Sequence, residues 1–147
     1  MSRARVCFVC CTVLALAGCS DPDKQVSRST EDREFAVSLK AEKNWVYPGH
    51  SLPVQVRLES LGGPVQEDLD DKIVLIANSG TATPASLNVN LAGPDSVGNE
   101  AEQVFTGWVT FRASNQVTPE NQGEIHALFQ DAQATLKIRI VAPPGSL

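Results

Sequence analysis

The sequence predicts an all-β fold, an antiparallel β-sandwich of about seven strands over residues 35–142. Three observations predict it. Apolar residues recur at every second position in most segments between Phe35 and Val141. Turn signals rich in Gly and Pro separate those segments at short intervals. No window carries an amphipathic helical pattern. A small closed barrel is the alternative architecture for the same pattern.

The first strand alternates Phe35, Val37, Leu39 and Ala41 with Ala36, Ser38 and Lys40. Tyr47-Pro48-Gly49-His50 then breaks the chain. Pro at the second and Gly at the third turn position fit type II, whose third residue needs positive φ. Leu52, Val54, Val56 and Leu58 form the next buried face. Pro53 donates no backbone hydrogen bond, so it belongs at a strand start or an edge. Leu61-Gly62-Gly63-Pro64 is a turn, and residues 66–71 read as an acidic loop.

Ile73 to Ala77 is a continuous apolar run, the signature of a central strand. Leu87, Val89 and Leu91 alternate with Asn88 and Asn90, and residues 92–102 read as a long polar loop. In Val104–Ala113, Val109, Phe111 and Ala113 share one face and Trp108 the other. Ile125, Ala127 and Phe129 alternate next, followed by Leu136, Ile138 and Ile140. Pro143-Pro144-Gly145 ends the domain and opens a tail over residues 143–147. The pattern places Val56, Leu75, Phe111, Ala127, Phe129 and Ile138 inside.

The chain before Phe35 has a different character. Arg3 and Arg5 precede an uncharged apolar run from Val6 to Leu16, and Ala17-Gly18 adds small residues. This is a secretory signal over residues 1–18, and its run is shorter than the roughly 20 apolar residues that cross a bilayer. Leu16-Ala17-Gly18-Cys19 resembles the lipobox of bacterial lipoproteins. That resemblance implies cleavage before Cys19 and a lipid anchor (a diacylglyceryl thioether and an acylated amine) on the cysteine. More than one acyl chain is what stable anchoring requires. Ser20 in the following position implies outer-membrane rather than inner-membrane residence in a two-membrane cell.

Cys19 and residues 20–34 read as a flexible tether, with Val26 its only large apolar residue. Its roughly 15 residues would reach on the order of 20 Å. Cys7, Cys10 and Cys11 lie in the leader, so no cysteine remains for a disulfide in the domain. The full chain carries net charge −5. Without the leader, ten basic residues face 17 acidic ones, a net −7. Such a domain has no electrostatic reason to bind nucleic acid. Attachment to a membrane would come through the lipid on Cys19.

The segment from Val37 to Val141 resembles the immunoglobulin-like (Ig-like) domains of invasin- and intimin-type bacterial surface proteins. Tyr47-Pro48-Gly49, Gly63-Pro64-Val65, Gly107-Trp108-Val109-Thr110-Phe111 and Gly123-Glu124-Ile125-His126-Ala127 carry the resemblance. It implies an Ig-like sandwich. Those proteins hold many tandem copies, and their usual Asp or Asn before the later glycine is Thr106 here. Adhesion therefore does not follow from the likeness. The Cys…Trp…Cys pattern of antibody domains is absent.

Little in the chain points to chemistry. Only His50 and His126 could serve acid-base roles, and no Gly-x-Ser-x-Gly or His-x-x-x-His occurs. The expectation is no enzyme, no cofactor and no small-molecule substrate. Glu67, Asp68, Asp70 and Asp71 offer a weak calcium site, against a solvated acidic loop that discourages edge association. Trp45, Tyr47 and Trp108 could form an exposed platform for sugars or a protein partner. The favoured alternative inverts the faces, with Trp108 in the core and Trp45 packed at the sandwich end. Together these readings give a lipid-anchored envelope protein. Its Ig-like domain serves an envelope protein partner as an interaction or assembly accessory, or else binds carbohydrate or peptidoglycan.

Overall fold

A computed structural model describes residues 25–28, 34–94, 100–116 and 122–145. Residues 1–18, read from the sequence as a secretory signal, and Cys19 lie outside them. Among the described residues there are ten strands: β1 (Gln25–Arg28), β2 (Phe35–Ala41), β3 (Trp45–Val46), β4 (Ser51–Ser60), β5 (Leu69–Asn78), β6 (Gly80–Thr83), β7 (Ser86–Leu91), β8 (Val104–Ala113), β9 (Gln122–Phe129) and β10 (Ala132–Ile140). They form two five-stranded sheets, ordered β1-β2-β4-β8-β6 and β3-β10-β9-β5-β7. The fold is an all-β sandwich, as its alternation predicts. All pairings are antiparallel except β3 with β10.

Nine strands, not the expected seven, lie among the described residues between Phe35 and Ile140. The two additions, β3 and β6, are two and four residues long, too short to display a period. The segment read as tether also differs from expectation. Its residues 25–28 pair with Ala41 to Ser38 of β2.

The inner faces meet in one core that includes Val37, Leu39, Val54, Val56 and Phe111 from the first sheet. The second sheet contributes Ile73, Leu75, Ile125, Ala127, Phe129 and Ile138. Phe35 of β2 meets Phe129 of β9 edge to face, with ring centroids 5.3 Å apart. Such a pair adds roughly 0.5–1.5 kcal/mol to the burial of its area. All six positions expected inside are buried.

Trp108 is 57% exposed and Phe111 fully buried, so the inverted-face alternative is overturned. The run Ile73–Ala77 is also corrected. β5 lies between β9 and β7, but of this run only Ile73 and Leu75 are buried, with Ala77 half-buried against the same core. Val74 and Ile76 are 46% and 48% exposed on the outer face. A continuous apolar run here marks a strand with apolar residues on both faces, one of them uncovered.

Two backbone features shape the ends. Gly49 has φ +72° and the His50 N–H donates to the Tyr47 carbonyl, completing the expected turn. Pro53 sits one residue beyond the last β2–β4 pair, Ala41 with Val54. At Ser79, with φ +54°, the chain leaves the second sheet, and β6 pairs with β8 in the first. It then returns, with the Leu75 N–H donating to the Ala85 carbonyl, and β7 pairs with β5.

Candidate functional site

The acidic segment is where sequence and geometry part most clearly. Leu69, Asp70 and Asp71 are strand residues of β5, not loop. Successive strand residues point to opposite faces, so Asp70 and Asp71 diverge. Asp71 Oδ1 accepts from the Lys72 N–H, and its Oδ2 accepts from Gln130 Nε2 at 3.4 Å. Asp68 Oδ1 accepts the Gly93 N–H at 2.9 Å. Among the described residues no group of three or more His, Cys, Asp or Glu is placed to hold a metal ion. Glu67, Asp68, Asp70 and Asp71 are thus not brought together as a set of calcium ligands.

Asp68 has a local structural role. A Cβ on Gly93 would lie 2.8 Å from the Glu67 backbone, so only glycine permits this approach. The Glu102 N–H donates to the Ala92 carbonyl, and the Val65 N–H to the Glu102 carbonyl. Glu102 Oε2 accepts the Ala92 N–H. The two segments expected to act as separate end loops are therefore laced together at their bases. Beside them lies an open cleft of about 420 Å³, lined by Glu34, Ser60, Val65, Glu67, Asp68 and Gln130 among others.

The opposite end carries the aromatics. Trp45 and Tyr47 meet edge to face at 5.2 Å, and Tyr47 and His50 at 5.7 Å. Lys43 Nζ lies 5.0 Å from the Trp45 ring centroid. Its charge faces the negative face of the indole, an interaction that weakens with exposure. A shallow cavity of about 270 Å³ runs along Lys43, Trp45, Tyr47, His50 and Pro53. Trp45 packs at the sandwich end, as one expectation had it. Trp108 does not join it, since it stands on the outer face of β8 opposite Gln55.

The two histidines are committed locally. His50 Nδ1 lies 3.1 Å from the Pro48 carbonyl. His126 sits on the outer face of the second sheet, in register with Ile76 and Thr135. Its Nδ1 is 2.9 Å from Thr135 Oγ1 and its Nε2 3.3 Å from Glu124 Oε2. Glu124 also accepts from Gln122 Nε2 at 3.0 Å and lies 3.8 Å from Lys137 Nζ. This is a polar ladder across neighbouring strands, of the kind that stabilises a sheet face. Alternation alone predicts His126 and Glu124 on one face. It could not supply Thr135 or Asn78, whose Nδ2 is 3.5 Å from His126 Nε2, because strand register is not written in one strand.

Comparison with known proteins adds no relative: no family model and no curated protein matches the chain.

Proposed function

We propose that the chain is a lipid-anchored envelope protein whose Ig-like sandwich acts, without catalysis, as a protein-protein interaction or assembly accessory. The observation that carries the reading is Leu16-Ala17-Gly18-Cys19, closing an uncharged apolar run behind Arg3 and Arg5. Acyl chains on Cys19 would hold the domain at the outer membrane, where Ser20 directs it. Confinement there raises the effective concentration of any partner, so a modest surface suffices.

The strand order supports the Ig-like part. β2-β4-β8-β6 against β10-β9-β5-β7 follows the A-B-E-D against G-F-C arrangement of Ig sandwiches, with β7 in the position of an added C′ strand. One departure is that β6 precedes β7 in the chain, reversing the usual visit to the two sheets.

A second reading, a carbohydrate- or peptidoglycan-binding module, is favoured by the Lys43–Trp45–Tyr47–His50 end. Its cavity joins aromatic faces to a cation and an imidazole, a combination that orients a polar ligand. Recovery of a partner from solubilised envelopes supports the first reading, and retention on cell-wall polysaccharide the second.

The anchor has a direct test. Cys19→Ser should abolish fatty-acid labelling and shift the chain from the membrane to the soluble fraction. An unlabelled, already soluble wild-type chain would overturn the proposal.

A further inference from the structure

Among the described residues one stretch of sheet edge is left unpaired, and its pattern is symmetric about a single residue. β6 covers β8 only from Thr110 to Ala113. The chain then turns at Pro84 and Ala85 toward the other sheet, where the Ala85 carbonyl accepts from Leu75. Among the described residues, nothing pairs with the same side of Val104 to Trp108. Burial follows this boundary. The inward residues Phe105 and Gly107 are half-buried, whereas Val109, Phe111 and Ala113 are buried. Val104, at 39%, and Trp108 are among the exposed large apolar residues.

The hydrogen-bond phase of this edge is fixed. The Ser60 N–H donates to the Gln103 carbonyl, and the Ala113 N–H to the His50 carbonyl, at the two ends of the β4–β8 ladder. Antiparallel partners alternate between bonded and unbonded pairs. The odd-numbered residues of β8 therefore bond to β4. Val104, Thr106 and Trp108 turn their N–H and C=O groups to the open side. Edge strands are commonly protected by Lys, Pro or an inward charge. From Gln103 to Phe111 there is no charge and no proline.

We propose that the Val104–Trp108 edge is a homodimer interface, pairing antiparallel with the same edge of a second copy about a two-fold axis at Thr106. The pairing is isologous and joins the two first sheets edge to edge. Thr106 meets its own copy in a bonded pair, and Val104 meets Trp108 of the partner on the outer face. On the inner face Phe105 comes opposite the partner's Gly107, whose inward side Leu87 and Phe105 of its own copy already cover. Val104 with Trp108 is an aromatic–aliphatic cross-strand pair, a favourable type. The absence of charge between Gln103 and Phe111 means that no like charges are set opposite each other along this pairing. A second copy is favoured over an unrelated strand because this one register pairs Thr106 with itself and sets Val104 against Trp108 twice, with no charge among them. This pairing does not require the lipid anchor.

The test is sedimentation of the full chain in mild detergent across a concentration series. Wild type should dimerise reversibly. Thr106→Pro removes an N–H that faces the open edge, where Pro is tolerated, so its melting temperature should stay near wild type. The variant loses two interchain hydrogen bonds per dimer, weakening association about 30-fold. Trp108→Glu, a change at an exposed side chain, should weaken it as well. Thr106→Cys should give an oxidised dimer well above the wild-type background, and Lys40→Cys, on the outer face of β2, should not. A wild type that stays monomeric at every concentration would overturn the proposal. So would a dimer indifferent to both Thr106→Pro and Trp108→Glu.

Discussion

The Phe111 ring occupies the space that a side chain on Gly123 would need: a Cβ built there lies 2.6 Å from Phe111 Cζ. Phe111 belongs to β8 of the first sheet and Gly123 to β9 of the second. A Cβ on Gly80 of β6 would meet the same ring at 2.7 Å. One of the two fully buried phenylalanines is thus seated between two glycines on different sheets.

Phe111→Ala should therefore cost about 3–5 kcal/mol, the range for removing a buried aromatic. That is a large share of the 5–15 kcal/mol typical of a whole domain. Urea denaturation monitored by tryptophan fluorescence reads it. A loss under about 1 kcal/mol would mean that the ring is not closely packed.

Gly123→Ala tests the same contact from the other side. Crowding the ring should destabilise by about 1–3 kcal/mol. Combining it with Phe111→Leu should cost less than the sum of the two single changes, since the smaller side chain leaves room for the methyl. Simple additivity would show that the two positions do not compete for one space.

Asp68→Ala should loosen the junction of the two end segments. It removes the acceptor of the Gly93 N–H, a hydrogen bond to a charged group in a half-buried site. The expected cost is about 1–2 kcal/mol, with Asp68→Asn retaining most of the stability. Faster hydrogen exchange at the Gly93 amide in the alanine variant alone would confirm the assignment. Equal exchange in all three proteins would refute it.

The sandwich was legible wherever one face alone is buried. Phe35–Ala41, Ser51–Ser60 and Ala132–Ile140 show their period directly, because inward and outward residues differ in polarity. Ile73–Ala77 misled for the converse reason, since Val74 and Ile76 are apolar but outward. Composition also could not separate loop from strand at Asp70 and Asp71, because both side chains stay exposed at this end of β5 although they point to opposite faces. Gly80–Thr83 has no large residue to signal its direction and is held by pairing to β8. The acidic residues show the corresponding limit for a site. Nearness in sequence became divergence in space once they entered an extended strand. The open edge of β8 was hidden because its cause, the early departure of β6, lies in another part of the chain.

The corner at Ser79 ties the two sheets into a single folding event. β6 completes one sheet and β7 the other, yet only two residues, Pro84 and Ala85, separate them. β7 pairs locally with β5, but β6 must await β8, nearly thirty residues downstream, before the corner is complete. Contacts of such sequence separation slow the search for the native state. They also remove the option of melting one layer alone. Amide protection in Gly80–Thr83 and in Ser86–Leu91 should be lost together, in one all-or-none transition, although these strands belong to opposite walls of the sandwich.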